Sequence, residues 1–231
     1  MRNLYVIPII HMSADMGSVA PSLDDRATAK LTPELWQRHK EIVSAFWDSI
    51  GQFLDELDVN GFKVYQDGLI ADGEEGLRIV KESVGQGSKN FKIIERLLER
   101  GAILIKTESL SLVKQEYGYI KKMSYSRSLK EREVAALRYK LAQGKLLKQR
   151  DEFIAGRINE TLAEGATGIL FIGAYHDVVR RLAPDIRVVQ VKEVVRVKEY
   201  HNSLTKTKRQ DQQLRELGEY LVSSVSIVPF W

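Results

Sequence analysis

Hydrophobic positions follow two rhythms along the chain. Short apolar runs at 3–10 (NLYVIPII), 62–66 (FKVYQ), 102–106 (AILIK), 168–173 (GILFIG) and 186–191 (IRVVQV) read as five buried strands. Between them, apolar residues recur at helical spacing. Thr32-Pro33-Glu34 joins a capping hydroxyl to a proline at the first helical position. Trp36, Ile42, Val43, Phe46, Ile50, Phe53 and Leu54 then share one face, which predicts a helix to about residue 57. A second helix spans 89–100 and is closed by Gly101. Residues 107–164 read as almost all helical, charged, and broken near Gly118 and Gly144. A short helix from His176 to Leu182 ends before Pro184, and 194–224 reads as mostly one long charged helix.

The remaining stretches read as connections. Residues 12–31 are small and polar, and 67–76 (DGLIADGEEG) form a glycine-rich turn region whose DGEEG is a surface loop. GQGSK at 85–89 lacks the spacing of a phosphate loop and reads as a turn. No internal repeat is present. Strands alternating with helices predict one α/β domain over 1–231, with a central, mainly parallel sheet flanked by helices. Residues 107–164 would be a helical insertion or cap within it.

That architecture gives meaning to two histidines. His11 follows the first strand and His176 the fourth, Asp67 follows the second, and Lys106 and Glu108 follow the third. In parallel α/β sheets, ligands bind beyond the carboxyl ends of the strands. Two imidazoles and a carboxylate gathered there suit a divalent metal, or acid–base chemistry near neutral pH. The structural alternative is a hydrogen-bonded loop histidine at each tip. The helix beginning at His176 would favour the neutral ring through its dipole, with Asp177 as cap. His39 and His201 fall in charged helical stretches and read as surface residues. No Gly-x-Ser-x-Gly elbow occurs, so a serine mechanism is not expected.

Composition narrows the classes. No apolar stretch reaches the roughly 18–20 residues of a membrane span, so no membrane partner is expected. The N-terminal apolar run is short and β-like, without a small-residue cleavage pattern, and reads as a strand rather than a signal peptide. The absence of cysteine excludes disulfides and thiolate metal sites and is compatible with a reducing cytoplasm, the expected location. Net charge is +4, with twelve Lys or Arg against four Glu over 106–150 and a second basic stretch over 196–209. Such stretches are either solvated helix faces or track a nucleic-acid backbone. The C-terminal SIVPFW would add an edge strand or dock Phe230 and Trp231 on a neighbour, which leaves a homo-oligomer open.

Three stretches carry a family resemblance. PIIHMSADMGS supplies His11, Ser13 and Ser18; KVYQD supplies Asp67; QRDEFIAGRINETLAEGATGILFIGAYH supplies Arg150, Asp151, Gly173 and His176. Together they resemble the superfamily that includes TraB proteins, Tiki metalloproteases, ChaN-type haem-binding lipoproteins and erythromycin esterases. Pro8 stands where that family has glycine, and Gln66 where its motif has glutamate. The resemblance implies a fold and a site rather than a reaction; the function expected there is a metal-assisted hydrolase of peptide, ester or related bonds, with Mn²⁺, Co²⁺ or Zn²⁺ held by His11, His176 and Asp67. Arg150 would neutralise an anion or orient a carboxylate, with Ser13, Tyr175, Asp151 and Glu108 as donors or carboxylates behind the ligands. The alternatives are a non-catalytic small-ligand or haem-binding module in the same crevice, and a nucleic-acid-associated protein using the basic helices.

Overall fold

The computed structural model of the chain describes residues 1–10, 31–126, 128–205, 211–225 and 227–229. Five parallel strands form the sheet: β1 (Arg2–Ile9), β2 (Lys63–Gln66), β3 (Ile103–Ile105), β4 (Thr167–Gly173) and β5 (Ile186–Gln190). A two-residue β6 (Val228–Pro229) pairs antiparallel with β5, so the C-terminal segment does add an edge strand, in the order β3-β2-β4-β1-β5-β6. Phe230 and Trp231 lie outside the described residues. The described helices are α1 (Pro33–Asp55), α2 (Gly73–Gly85), α3 (Lys89–Glu99), α4 (Leu110–Ser124), α5 (Leu129–Thr161), α6 (Val194–Thr205) and α7 (Asp211–Val222). The α/β architecture is the one the sequence pattern predicts.

Burial on both faces explains the unbroken apolar strands. Ile7, Val64, Ile169 and Phe171 pack on one face against α1, α3, α6 and α7, through Phe46, Trp47, Ile94, Val197 and Leu217. Leu4, Val6, Leu170 and Ile172 face the other way, onto Ile154, Ala155 and Ile158 of α5. Strand side chains alternate between faces, so only a doubly covered strand is apolar at both parities. β1 and β4 lie side by side, yet the chain leaves them in opposite directions, toward β2 and β5. Their carboxyl ends are therefore the switch point of the sheet.

Several local expectations need correction. Residues 67–76 are not all turn, because α2 begins at Gly73 and absorbs most of DGEEG. Gly76 is there for space: a Cβ would lie 2.8 Å from the Ala71 carbonyl oxygen and 3.0 Å from Leu104. Gly118 and Gly144 do not break the helical stretch. The first helix ends at Ser124, and the Ser128 hydroxyl accepts from the Glu131 N–H and starts α5. Ser-x-x-Glu is a capping signature, stronger punctuation than one glycine on an exposed helix face. The C-terminal third of α5 is also no insertion, since it is the crossover helix that buries the second sheet face. The expected long C-terminal helix is two, α6 and α7, with 206–210 outside the described residues. His39 is buried, 9% exposed, between Trp36 and Tyr200, whose hydroxyl lies 3.0 Å from its Nδ1. Burial, and then the charge of His201, hold its pKa down to about 4.

Candidate functional site

Two consecutive residues of α5 organise the tips of β2, β3 and β4. Neighbours on a helix point about 100° apart, so Arg150 and Asp151 serve different strands. Arg150 reaches β2 and β3: its Nε and Nη2 donate to Glu108 Oε1 at 2.9 and 2.5 Å, and Nη2 donates to Asp67 Oδ1 at 2.6 Å. Its Nη1 donates to Glu116 on α4. Asp151 reaches the β4 tip, where Oδ1 lies 2.6 Å from His176 Nδ1 and Oδ2 accepts from the Asp177 N–H at 3.0 Å. Asp67 closes the cluster, with Oδ2 accepting from the Gly173 N–H at 3.1 Å and lying 3.4 Å from His176 Nε2.

Gly173 and His176 of the fourth tip are linked by geometry. The chain turns sharply after β4, with the His176 N–H donating to the Gly173 carbonyl at 3.0 Å. A Cβ on Gly173 would meet Asp67 Oδ2 at 3.1 Å and His176 Cδ2 at 3.3 Å. Gly173→Ala should therefore push both side chains outward. It should cost about 1–3 kcal/mol by overpacking and lower the His176 pKa by weakening its Asp67 contact. Denaturant unfolding, with NMR titration of the imidazole, checks both.

The electrostatics are unusual for a packed interior. Burial alone opposes a charged His176, but its hydrogen bonds to Asp151 and Asp67 outweigh that and raise its pKa to about 9. This corrects the expectation of a neutral ring. Only a three-residue 3₁₀ turn, Val179–Arg181, follows His176, so no helix dipole acts on it, and Asp177 pairs with Arg180 and Arg181 instead of capping a helix. Burial lowers the Arg150 pKa, but Asp67, Glu108 and Glu116 raise it further, and it stays protonated. A salt bridge ordinarily lowers a carboxyl pKa, yet Glu108 is raised to about 7. The residue is 0% exposed, its Oε2 has no hydrogen-bond partner among the described residues, and Asp67 adds repulsion, so desolvation exceeds the pull of Arg150.

The sequence-derived set is thus partly assembled. Asp67, Glu108, Arg150, Asp151 and His176 converge. Asp67 does so without any register slip, because the Gln66 side chain is buried elsewhere, accepting from Asn90 Nδ2 at 3.0 Å. His11 and Ser13 lie outside the described residues. Tyr175 is not part of the cluster, since its half-exposed hydroxyl bonds to Asn202 at 2.9 Å and lies 3.2 Å from His201. Glu116 was not singled out, and its only cue is being a lone carboxylate between Lys114 and Lys121.

These side chains do not by themselves compose a metal site. Among the described residues, no three His, Asp or Glu are grouped to hold an ion. Asp151 and Asp67 flank both nitrogens of His176, and a ring protonated at both offers no lone pair. Arg150 already engages Glu108, Asp67 and Glu116. Comparison of the chain with protein-family models, curated proteins and solved structures returns no match, and the site is therefore read from its own geometry.

Proposed function

We propose that the chain is a hydrolase of ester, peptide or related bonds, with its reaction centre at the tips of β2 and β4. The supporting observation is the unequal grip on His176: Nδ1 is held by Asp151 at 2.6 Å, while Nε2 faces Asp67 at a looser 3.4 Å. A carboxylate behind one ring nitrogen fixes the ring and stabilises its charge, leaving the other nitrogen to transfer protons. In this reading the Nε2 proton passes to the leaving group. Asp67, steadied by Arg150 and the Gly173 N–H, accepts the proton of the attacking water. Proton transfer from a placed side chain is worth about 10²–10⁴-fold in rate, which is reason enough to keep costly buried charges at a strand tip.

A panel of chromogenic esters, peptides and phosphoesters, with and without added Mn²⁺, Co²⁺ or Zn²⁺, tests the proposal. Turnover by the wild type should fall at least about 100-fold in His176→Gln, with the melting transition still cooperative. Full activity in the variant, or no turnover of any substrate by the wild type, overturns it.

A further inference from the structure

The α4–α5 hairpin carries apolar surface that its own fold does not use. α4 has no buried residue, and α5 has none before Leu146. Leu129, Val134, Leu137 and Leu141 are 77, 50, 58 and 77% exposed, and Tyr125 at the tip is 63% exposed. Val134, Leu137 and Leu141 follow i, i+3, i+7 spacing and form one stripe. Between the helices runs a groove of about 750 Å³, lined by Gly118, Tyr119, Val134 and Ala135 among others. A Cβ on Gly118 would meet nothing within 4 Å, although glycine inside an exposed helix is less favourable than alanine. Lys121, Lys122, Lys130 and Arg138 also line the groove. Over 110–148 the sequence has ten Lys or Arg against three Glu, and one of those, Glu116, is turned inward onto Arg150.

We propose that this hairpin docks the protein peripherally on an anionic lipid surface, with its leucines and tip tyrosine entering the headgroup boundary and its lysines meeting the lipid phosphates. Exposed aliphatic residues between cations are what such a surface rewards, through burial of apolar area plus attraction of each basic residue near it. Nucleic acid would use the cations and stack on tyrosines, but gains nothing from four exposed aliphatic side chains. A second copy of the hairpin would set two surfaces of like net charge, each with ten Lys or Arg against three Glu, face to face. No described helix is long and apolar enough to cross a membrane, so the contact stays at the surface.

The 231-residue chain should sediment with vesicles of phosphatidylcholine and phosphatidylglycerol, and not with phosphatidylcholine alone, with binding that weakens in salt. Leu137→Ser/Leu141→Ser keeps every charge and should lower the partition at least about tenfold; Lys121→Glu/Lys122→Glu should do the same. Circular dichroism verifies that each variant is folded, which these exposed positions favour. Failure to bind anionic vesicles overturns the proposal. So does binding that the serine pair leaves unchanged, tighter binding to single-stranded RNA than to vesicles, or a stable dimer that excludes vesicles.

Discussion

Replacing Arg150 with methionine is expected to lower the free energy of unfolding by about 3–5 kcal/mol, the usual cost of removing one partner from a buried ion pair. Methionine keeps much of the length and apolar contact of the side chain, so the loss reports the charge. Arg150 is the shared cation of Asp67, Glu108 and Glu116, and it is the tie between α5, α4 and the tips of β2 and β3. Without it, Glu108, already raised to about 7, takes up its proton more readily still, and the folded protein then binds more protons than the unfolded chain. The deficit of the variant should therefore grow as pH rises above about 7 and shrink as pH falls toward it. Arg150→Lys restores a charge but not the fork that reaches three carboxylates, and should recover only part of the loss. Urea unfolding at several pH values measures all of this; an Arg150→Met protein as stable as the wild type would make the network dispensable.

The second large effect is on the pH dependence of the wild type. His176 has a folded pKa raised to about 9 from an ordinary 6.5. Its stabilisation is fully present below pH 6.5 and is lost as pH rises toward 9. Glu108, raised to about 7 from 4.5, has the same sign: the folded state holds a proton that the unfolded chain has released. His39, lowered to about 4, has the opposite sign and costs stability as pH falls below 6.5, so it offsets Glu108 on the acid side. Lys192, lowered by burial to about 8 from 10.5, destabilises the fold below about pH 8, and this cost fades as pH rises from there toward 10.5. The interval in which His176 dominates is pH 6.5 to 8. Across it, one extra proton on the folded state costs about 2 kcal/mol at 1.36 kcal/mol per unit. His176→Asn should flatten that decline, and Glu108→Gln should remove only the part below about pH 7. A wild-type stability that rises through this interval would contradict an imidazolium at position 176.

Much of the frame was legible in the sequence because it follows from local pattern. A short apolar run bounded by turn residues has few readings, and Thr32-Pro33 announces α1 through a cap that the structure forms, with the Leu35 N–H donating to the Thr32 hydroxyl at 3.3 Å. The parallel sheet follows from strands separated by crossover helices. The candidate site was legible only as strand ends carrying ionisable residues. Which of those residues meet was not. Tyr175 and His176 are neighbours in the chain, yet one turns outward to Asn202 while the other is enclosed by Asp151 and Asp67. Glu116 gave only a faint cue, because Arg150, whose charge it takes, lies 34 residues further along the chain.

The sequence by itself determined the strands and most of the helices, the doubly covered sheet, and the placing of Asp67, Glu108 and His176 at its carboxyl edge. Those features rest on apolar periodicity, caps and chain direction, which act over a few residues. Only the tertiary structure decided the charge of His176, the raised pKa of the deeply buried Glu108, the burial of His39, and the role of Arg150 as common partner of three carboxylates. Each of these depends on which groups share a low-dielectric interior. Interaction between charges there grows as distance and solvent shrink, and neither quantity is written in the order of residues along the chain.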